Sequence, residues 1–278
     1  MFVFRLCGFI LEVQLLLISE YGCGEGAAVY QCLNTSLSVR GLCKEGSTMS
    51  VDSCCSKANK AANMTKSTSI SIPDSLEMPT NSFVVPGCYR DDLKSVIIPE
   101  GLIRDRVKRL AQEIHDVIGD EPLVVLCILK GSYRFFTTLV DDLTVARHAC
   151  ASPLVIDFIR AKSYEDTEST GTLQIMGLSS LDELKGQNIL IVEDIVDSGL
   201  TMSRLLKTIY GNGAKKCWTS ILLSKRVPRT VEVPEDFVAF DIPDKFIVGY
   251  GLDYNQKFRD LNHICVMSES GIEKYKNS

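Results

Sequence analysis

The chain has 278 residues, of which 45% are hydrophobic and 23% are charged, and its formal net charge at pH 7 is −5. This is the composition of an ordinary globular protein, and the chain is long enough to bury a substantial core. A negative net charge gives no support to nucleic-acid binding, for which a basic face is expected, so no nucleic-acid partner is predicted.

Residues 1–81 differ in composition from the rest and are predicted to be a poorly ordered N-terminal extension. They hold six of the eleven cysteines, and no proline precedes Pro73. The apolar stretch 2–18 contains Arg5 and Glu12 and falls short of the ~20 residues of a membrane-spanning helix, so no membrane partner is predicted. The alternative is a weak signal peptide followed by a disulfide framework. Residues 67–82 are predicted to be a linker, and residues 82–278 the enzyme-sized domain.

Five apolar runs are predicted to be strands, and helical patterns lie between several of them. The predicted strands are, in chain order, 123–129, 154–159, 189–192, 218–223 and 246–250, and the clearest predicted helices are 102–118 and 201–210. This alternation favours an α/β fold with a mainly parallel twisted sheet flanked by helices. In such sheets the ligand binds outside the carboxyl ends of the strands. Charged residues follow those ends, namely Lys130, Glu193, Asp194, Lys225 and Asp253.

The segment 188–202 is the most informative part of the chain. An apolar run, 189–192, is followed by Glu193 and Asp194, predicted to lie just past the strand, and by the loop 197–201, which leads into a helix. Amides and hydroxyls at a helix N-terminus can bind a phosphate, and acids beside it can bind sugar hydroxyls, directly or through a metal. The pattern predicts a site for a phosphorylated sugar. A plain β–α connection is the alternative. A Walker-type phosphate loop is a poor fit, because this segment lacks the Gly-Lys-Thr or Gly-Lys-Ser ending of such loops.

Residues 82–275 resemble the purine phosphoribosyltransferases, in particular the hypoxanthine-guanine branch of that family. Six segments carry the resemblance in the order in which the family has them: 129–131, 162–164, 192–199, 243–250, 252–255 and 258–263. The resemblance implies a type I phosphoribosyltransferase-like fold with a small hood over the purine site. It also implies a magnesium-dependent purine salvage enzyme, which joins hypoxanthine or guanine to phosphoribosyl pyrophosphate and yields IMP or GMP and pyrophosphate.

The resemblance also implies roles for individual residues. Asp197 would be the general base for the purine N7 proton, a role worth roughly 10²–10⁴-fold. Glu193 and Asp194 would contact the ribose hydroxyls, and Asp253 would be the magnesium ligand. Lys225 would donate to the purine O6 and so favour a 6-oxopurine over adenine. The other predicted substrate-binding residues are Lys130, Gly131 and Arg259 for pyrophosphate; Ile195, Val196, Ser198, Gly199, Leu200 and Thr201 around the 5′-phosphate; Lys245, Phe246 and Ile247 for the purine; and Ser163 and Tyr164 in a closing loop.

Two positions depart from the family pattern. Leu200 stands where well-known members have Lys, which is expected to weaken phosphate binding modestly if backbone amides hold the phosphate. Ser132 stands where they have a second Gly, and its side chain is expected to strain the backbone. The rival hypothesis is a catalytically weak or inactive homologue that binds phosphoribosyl pyrophosphate or a nucleotide in a regulatory role. A third hypothesis is a related transferase that also accepts xanthine.

The compartment and the partners are predicted mainly from the resemblance. An enzyme that uses intracellular phosphoribosyl pyrophosphate is expected in the cytoplasm, where thiols stay reduced. Its partners would be the small-molecule substrates and further copies of itself, since the resemblance implies a homo-oligomer. The three histidines have no metal-ligand spacing, so no zinc site is predicted.

Overall fold

A computed structural model of the chain describes residues 69–149, 151–162, 174–177 and 180–276. The chain divides into two units, Met1–Ala61 and Ala62–Ser278. The signal-peptide and disulfide hypotheses concern residues that lie outside the described ones. Ile72 is buried in the core and follows a short strand at residues 70–71. The folded part therefore begins before the predicted boundary at Ser82.

The described residues contain ten strands and four α-helices. In chain order these are β1 (Ile70–Ser71), β2 (Leu93–Ile98), α1 (Glu100–Ile118), β3 (Leu123–Ile128), α2 (Tyr133–Ala146), β4 (Leu154–Lys162), β5 (Gln174–Met176), β6 (Asn188–Val196), α3 (Leu200–Gly211), β7 (Lys216–Lys225), β8 (Phe237–Ile242), β9 (Ile247–Val248), β10 (Ile264–Met267) and α4 (Glu269–Tyr275). Short 3-10 helices lie at Thr80–Ser82, Arg90–Asp92 and Leu181–Leu184.

Seven strands form the main sheet, in the spatial order β1-β8-β7-β6-β3-β4-β5. All neighbours pair in parallel except β4 and β5, which are antiparallel. The mainly parallel α/β fold predicted from the sequence is therefore confirmed. The alternate side chains of β3 and β6 point into two different cores. The first core also contains α1 and α2, and the second contains α3, so helices cover both faces of the sheet.

A second, three-stranded sheet has the order β2-β10-β9 and is antiparallel. The predicted fifth strand, 246–250, contributes only the two residues of β9 and lies in this small sheet. The prediction that it continues the parallel sheet is therefore wrong. Side chains of this sheet form a separate core with the segment that follows β9, where Phe258 and Leu261 are buried. The small sheet with this segment corresponds to the predicted hood.

The other predicted elements agree with the structure apart from their ends. The predicted helices 102–118 and 201–210 are α1 and α3, and four predicted strands are β3, β4, β6 and β7. Helices α2 and α4 and strands β1, β2, β5, β8 and β10 are not among the predicted elements. Among the described helices, none is both long and apolar enough to cross a bilayer.

Candidate active site

The carboxyl ends of β3, β6 and β7 lie at one edge of the main sheet, because these neighbouring strands are parallel. Lys130 and Gly131 follow β3, Asp197 follows β6, and Lys225 is the last residue of β7. The structure therefore brings together residues that are far apart in the sequence. This edge is where ligands bind in open α/β sheets.

Glu193 and Asp194 lie within β6. The strand continues to Val196 because Ile195 and Val196 pair with Leu223 and Ser224 of β7, so the prediction that the strand ends before the two acids is wrong. Burial in the sheet, and secondarily the charge of Asp194, raises the pKa of the Glu193 carboxyl well above its ordinary value. Burial also raises the pKa of Asp194, against the opposing effect of nearby hydrogen bonds and of Arg259.

The turn after β3 lies directly against Asp194. A Cβ atom on Gly131 would lie 1.5 Å from Asp194 Oδ2, so only glycine fits at this position. The next residue, Ser132, is fully buried, and its Oγ accepts a hydrogen bond from the Asp194 N–H at 3.0 Å. The Asp194 carboxylate in turn accepts a hydrogen bond from the Ile195 N–H at 2.9 Å. The orientation of this acid is thus fixed by the turn and by its own strand.

The strain expected at Ser132 is not present in the structure. Its backbone angles, φ −71° and ψ −9°, are ordinary helical values, and the residue precedes the first turn of α2. The peptide bond between Leu129 and Lys130, at the start of the turn after β3, is cis. The serine side chain is therefore accommodated without an unfavourable φ angle, and it supplies a hydrogen-bond acceptor to β6.

The ammonium group of Lys225 lies between two carboxylates. Its Nζ is 3.6 Å from Asp197 Oδ2 and 2.8 Å from Asp244 Oδ1. Lys225 is largely buried, whereas both acids are more than half exposed. The pair of Asp197 and Lys225 places a hydrogen-bond acceptor beside a donor at the open edge of the sheet, while Asp244 holds the lysine from the other side.

The loop between β6 and α3 surrounds a cavity. Gly199 has φ +80°, a left-handed conformation that suits glycine, and it directly precedes α3. Ser198 Oγ accepts a weak hydrogen bond from the Leu200 N–H at 3.5 Å, and the Leu200 side chain is 38% exposed. The cavity, of about 160 Å³, is lined by Glu193, Ile195, Val196, Asp197, Ser198, Gly199, Thr201 and Met202. The N-terminus of a helix beside such a cavity favours an anion.

The hood offers an exposed aromatic ring. Phe246 is 43% exposed and packs edge-on against Tyr254, with 4.9 Å between the ring centroids. It is therefore not a core residue, and part of its ring is accessible from solvent. The neighbouring Ile247 is buried. Lys245 points elsewhere, since its Nζ contacts the Asp74 carbonyl at 2.7 Å and Glu77 at 3.0 Å.

Asp253 and Arg259 form an ion pair within the hood segment that follows β9. Arg259 Nη2 is 2.6 Å from Asp253 Oδ1, and Arg259 Nη1 donates to the Gly251 carbonyl at 2.7 Å. A Cβ atom on Gly251 would lie 2.1 Å from the Gly131 carbonyl oxygen, so the glycine at position 251 allows the hood to approach the turn after β3. Asp253 Oδ2 accepts the Gln256 N–H at 2.8 Å.

The carboxylate oxygens of Glu193, Asp194 and Asp197 at the edge of the sheet, and of Asp253 in the hood, are ligands of the type that a hard divalent cation such as magnesium prefers. Among the described residues, no group of three or more His, Cys, Asp or Glu side chains is arranged to hold a metal ion by itself. A cation bound by one carboxylate, with its other ligands supplied by water and by substrate oxygens, needs no such group. Asp253 fits this second arrangement.

Several residues of the site were not predicted from the sequence. The sequence predicts only strain at Ser132, and it predicts no role in the site for Asp244 or Tyr254. The adjacent charges of Asp244 and Lys245 indicate a polar segment near the site. They do not indicate which of the two side chains points toward Lys225. The predicted substrate-binding residues Ser163 and Tyr164, with their closing loop, lie outside the described residues.

Known proteins resemble this chain in both sequence and structure. A family model described as phosphoribosyl transferase domain matches residues 99–255. The hypoxanthine-guanine phosphoribosyltransferase of Bos taurus is 49% identical over 198 residues, which are 70% of this chain and 91% of that protein. The Homo sapiens protein of the same name is 49% identical over 196 residues, with 70% and 90% covered. The crystal structure of the Schistosoma mansoni enzyme of that name in complex with IMP matches with a TM-score of 0.63 and 33% identity, covering 75% of this chain and 100% of that one.

Proposed function

The chain belongs to the family of hypoxanthine-guanine phosphoribosyltransferases, and from this premise we propose how its residues carry out the reaction of purine salvage. In this reaction hypoxanthine or guanine displaces pyrophosphate from C1 of phosphoribosyl pyrophosphate and forms IMP or GMP. Positive charge develops on the ribose and negative charge on the leaving group. The protein must therefore hold the purine, stabilise both charges and accept one proton.

The observation that carries the proposal is the pair of Asp197 and Lys225, with 3.6 Å between the carboxylate oxygen and the ammonium nitrogen. A 6-oxopurine presents two neighbouring atoms to this pair: O6, which accepts a hydrogen bond, and N7, which carries the proton that must be removed. Lys225 donates to O6, and Asp197 accepts the N7 proton as general base. Adenine would place an amino group opposite the lysine, donor against donor, which disfavours its binding. The exposed ring of Phe246 stacks on the purine, and the backbone of Ile247 lies at its edge.

The sugar and its phosphate occupy the segment 193–201. Glu193 and Asp194 face the ribose and exchange hydrogen bonds with its hydroxyls, and burial raises the pKa of both carboxyls. The 5′-phosphate lies in the cavity at the N-terminus of α3, where Ser198 and Thr201 offer hydroxyls and the first amides of the helix are directed at it.

The leaving pyrophosphate lies over the turn after β3, held by Lys130, the Gly131 backbone and Arg259. Magnesium, when bound, neutralises part of the charge that develops on the pyrophosphate oxygens. Asp253 would hold this ion together with waters and substrate oxygens. Arg259 then exchanges its ion pair with Asp253 for contacts to pyrophosphate. Lys245 has a supporting role only, because its contacts to Asp74 and Glu77 direct it away from the purine.

We place the enzyme in the cytoplasm as a homo-oligomer with small-molecule substrates. The cysteines that the structure describes in full, Cys88, Cys127, Cys217 and Cys265, are free thiols, which suits a reducing compartment. Burial raises the pKa of Cys127 and Cys265 to about 12, so these two thiols stay protonated and unreactive.

The test is turnover by the full chain with magnesium, phosphoribosyl pyrophosphate and one of four bases: hypoxanthine, guanine, xanthine or adenine. We expect IMP or GMP from the first two, and a loss of about 10²-fold or more in kcat for Asp197→Asn. Asp116→Asn, on the exposed surface of α1, is the matched control and should keep full activity. Binding of phosphoribosyl pyrophosphate without turnover of any base would support the regulatory homologue instead.

A further inference from the structure

A side chain distant in the sequence holds the backbone of Asp197. Arg229 lies between β7 and β8, and its Nη1 donates to the Asp197 carbonyl oxygen. Its Nη2 donates to Ser224 Oγ at 2.8 Å and to Glu235 Oε1 at 2.6 Å. Ser224 in turn donates to Glu235 Oε2 at 2.8 Å. One guanidinium group thus joins the loop after β6 to the end of β7.

This network is well suited to fix the distance between the Asp197 carbonyl and the Ser224 hydroxyl. The side chains of Arg229 and Glu235 are only 17% and 24% exposed, so water competes little for their hydrogen bonds. Bonds between ionised partners are shorter and stronger than neutral ones. The guanidinium is also planar and presents its donors in fixed directions, which a lysine cannot do. The positions of the Asp197 carbonyl and the Ser224 hydroxyl are therefore set relative to each other.

Ser224 directly precedes Lys225, the residue that donates to O6 in the proposed function. We propose that Arg229, supported by Ser224 and Glu235, is a positioning residue that sets the separation between the Asp197 carboxylate and the Lys225 ammonium. That separation must match the neighbouring N7 and O6 atoms of a 6-oxopurine. The inference rests on the proposed function and assigns part of its geometry to residues that touch no substrate.

The same segment also supports the phosphate loop by its backbone. The Val231 N–H donates to the Ser198 carbonyl at 3.2 Å. A Cβ atom on Gly199 would lie 2.4 Å from the Val231 carbonyl oxygen, so glycine is needed for this close approach. These backbone contacts do not depend on the Arg229 side chain. A substitution at Arg229 therefore tests the side-chain network while leaving them in place.

The test compares Arg229→Lys with a matched control, Arg106→Lys. Arg106 is also buried and bridges a carboxylate, Glu113, to the carbonyls of Val238 and Ala239, away from the edge where Asp197 lies. Both changes keep the positive charge but remove the planar guanidinium group and its fixed set of N–H donors. We expect Arg229→Lys to lower kcat for hypoxanthine about 10- to 100-fold, since a misplacement of about 1 Å costs up to that much. Arg106→Lys should stay within about twofold of the wild-type kcat, whatever its effect on stability.

A double-mutant cycle with Asp197→Asn separates positioning from a general structural role. If Arg229 acts through Asp197, Arg229→Lys causes little further loss of kcat once the carboxylate is gone, because coupled residues are not additive. An equal loss in both backgrounds would overturn the proposal. Should Arg229→Lys fail to fold, Glu235→Gln weakens the same network and must show the same non-additivity. A wild-type chain without turnover would instead refute the proposed function.

Discussion

Replacing Ser132 with alanine tests the most unusual feature of the turn after β3. Strand β3 pairs with β6 only as far as Cys127 opposite Val192. Farther along β6, the Asp194 N–H donates instead to Ser132 Oγ at 3.0 Å. Ser132 is fully buried and Asp194 is 9% exposed. Alanine would leave a buried N–H group without its acceptor.

The expected cost follows from that unpaired donor. A buried donor left without a partner costs about 1–3 kcal/mol of the free energy of unfolding. At about 2–4 °C per kcal/mol for a domain of roughly this size, Tm should fall by about 2–12 °C. Since the same bond orients Asp194, kcat/KM for phosphoribosyl pyrophosphate should also fall, while KM for hypoxanthine changes little.

Ser95→Ala is the matched control for this experiment. Ser95 is a buried serine of β2, and its Oγ has no hydrogen-bond partner within the described part of the chain. Removing that hydroxyl should cost less than removing the Ser132 hydroxyl. Thermal unfolding and steady-state kinetics on both variants give the comparison. Equal losses of stability in the two variants, or an unchanged kcat/KM for Ser132→Ala, would refute the reasoning.

Three further substitutions probe other parts of the site. Gly131→Ala would put a methyl group 1.5 Å from Asp194 Oδ2, so kcat should fall by about 10²-fold with the far-ultraviolet circular dichroism unchanged; near-normal kcat would mean that the turn moves freely. Phe246→Ala should raise KM for hypoxanthine by about 5- to 100-fold through lost stacking and leave KM for phosphoribosyl pyrophosphate alone; an unchanged purine KM would argue against stacking. Burial raises the pKa of the Glu193 carboxyl well above its ordinary value of 4.5, so the folded state binds this proton more tightly than the unfolded chain does. Its contribution to stability is complete below that value and is lost as pH rises toward the raised pKa. Glu193→Gln should therefore increase the free energy of unfolding more at about pH 8 than at about pH 5, and an equal change at both values would contradict the assignment.

The parallel sheet was predictable because its inner strands are short apolar runs followed by charged residues. Strand β3 is buried along its whole length, as expected of a strand covered on both faces. Helix α2 is not among the predicted elements, although its buried residues Phe135, Phe136, Leu139 and Leu143 repeat at helical spacing. The run 246–250 has the same apolar character as β3, but its pairing with β10 depends on tertiary contacts that one sequence does not encode locally.

The adjacent residues Asp244 and Lys245 show where prediction of the site stopped. The motif suggested Lys245 as the purine contact, yet this side chain binds Glu77 at 3.0 Å, and it is Asp244 that pairs with Lys225 at 2.8 Å. The two residues lie in a tight turn after β8, in which the Lys245 N–H donates to the Pro243 carbonyl at 2.9 Å. Which of the two side chains faces the site depends on the conformation of that turn, and composition does not determine that conformation.

The two departures from the family pattern, Ser132 and Leu200, differ in their physical meaning. The Ser132 side chain adds a hydroxyl group where the family has glycine, and this hydroxyl accepts a hydrogen bond from the Asp194 N–H of β6. Leu200 removes a point charge near the 5′-phosphate, but it occupies the first residue of α3, where amides of the first turn have no partner within the helix. An anion held by those amides and by the hydroxyls of Ser198 and Thr201 needs no lysine to fix its position. Neither change removes a group that contacts the reacting atoms, so both are expected to alter KM for phosphoribosyl pyrophosphate or stability rather than abolish turnover.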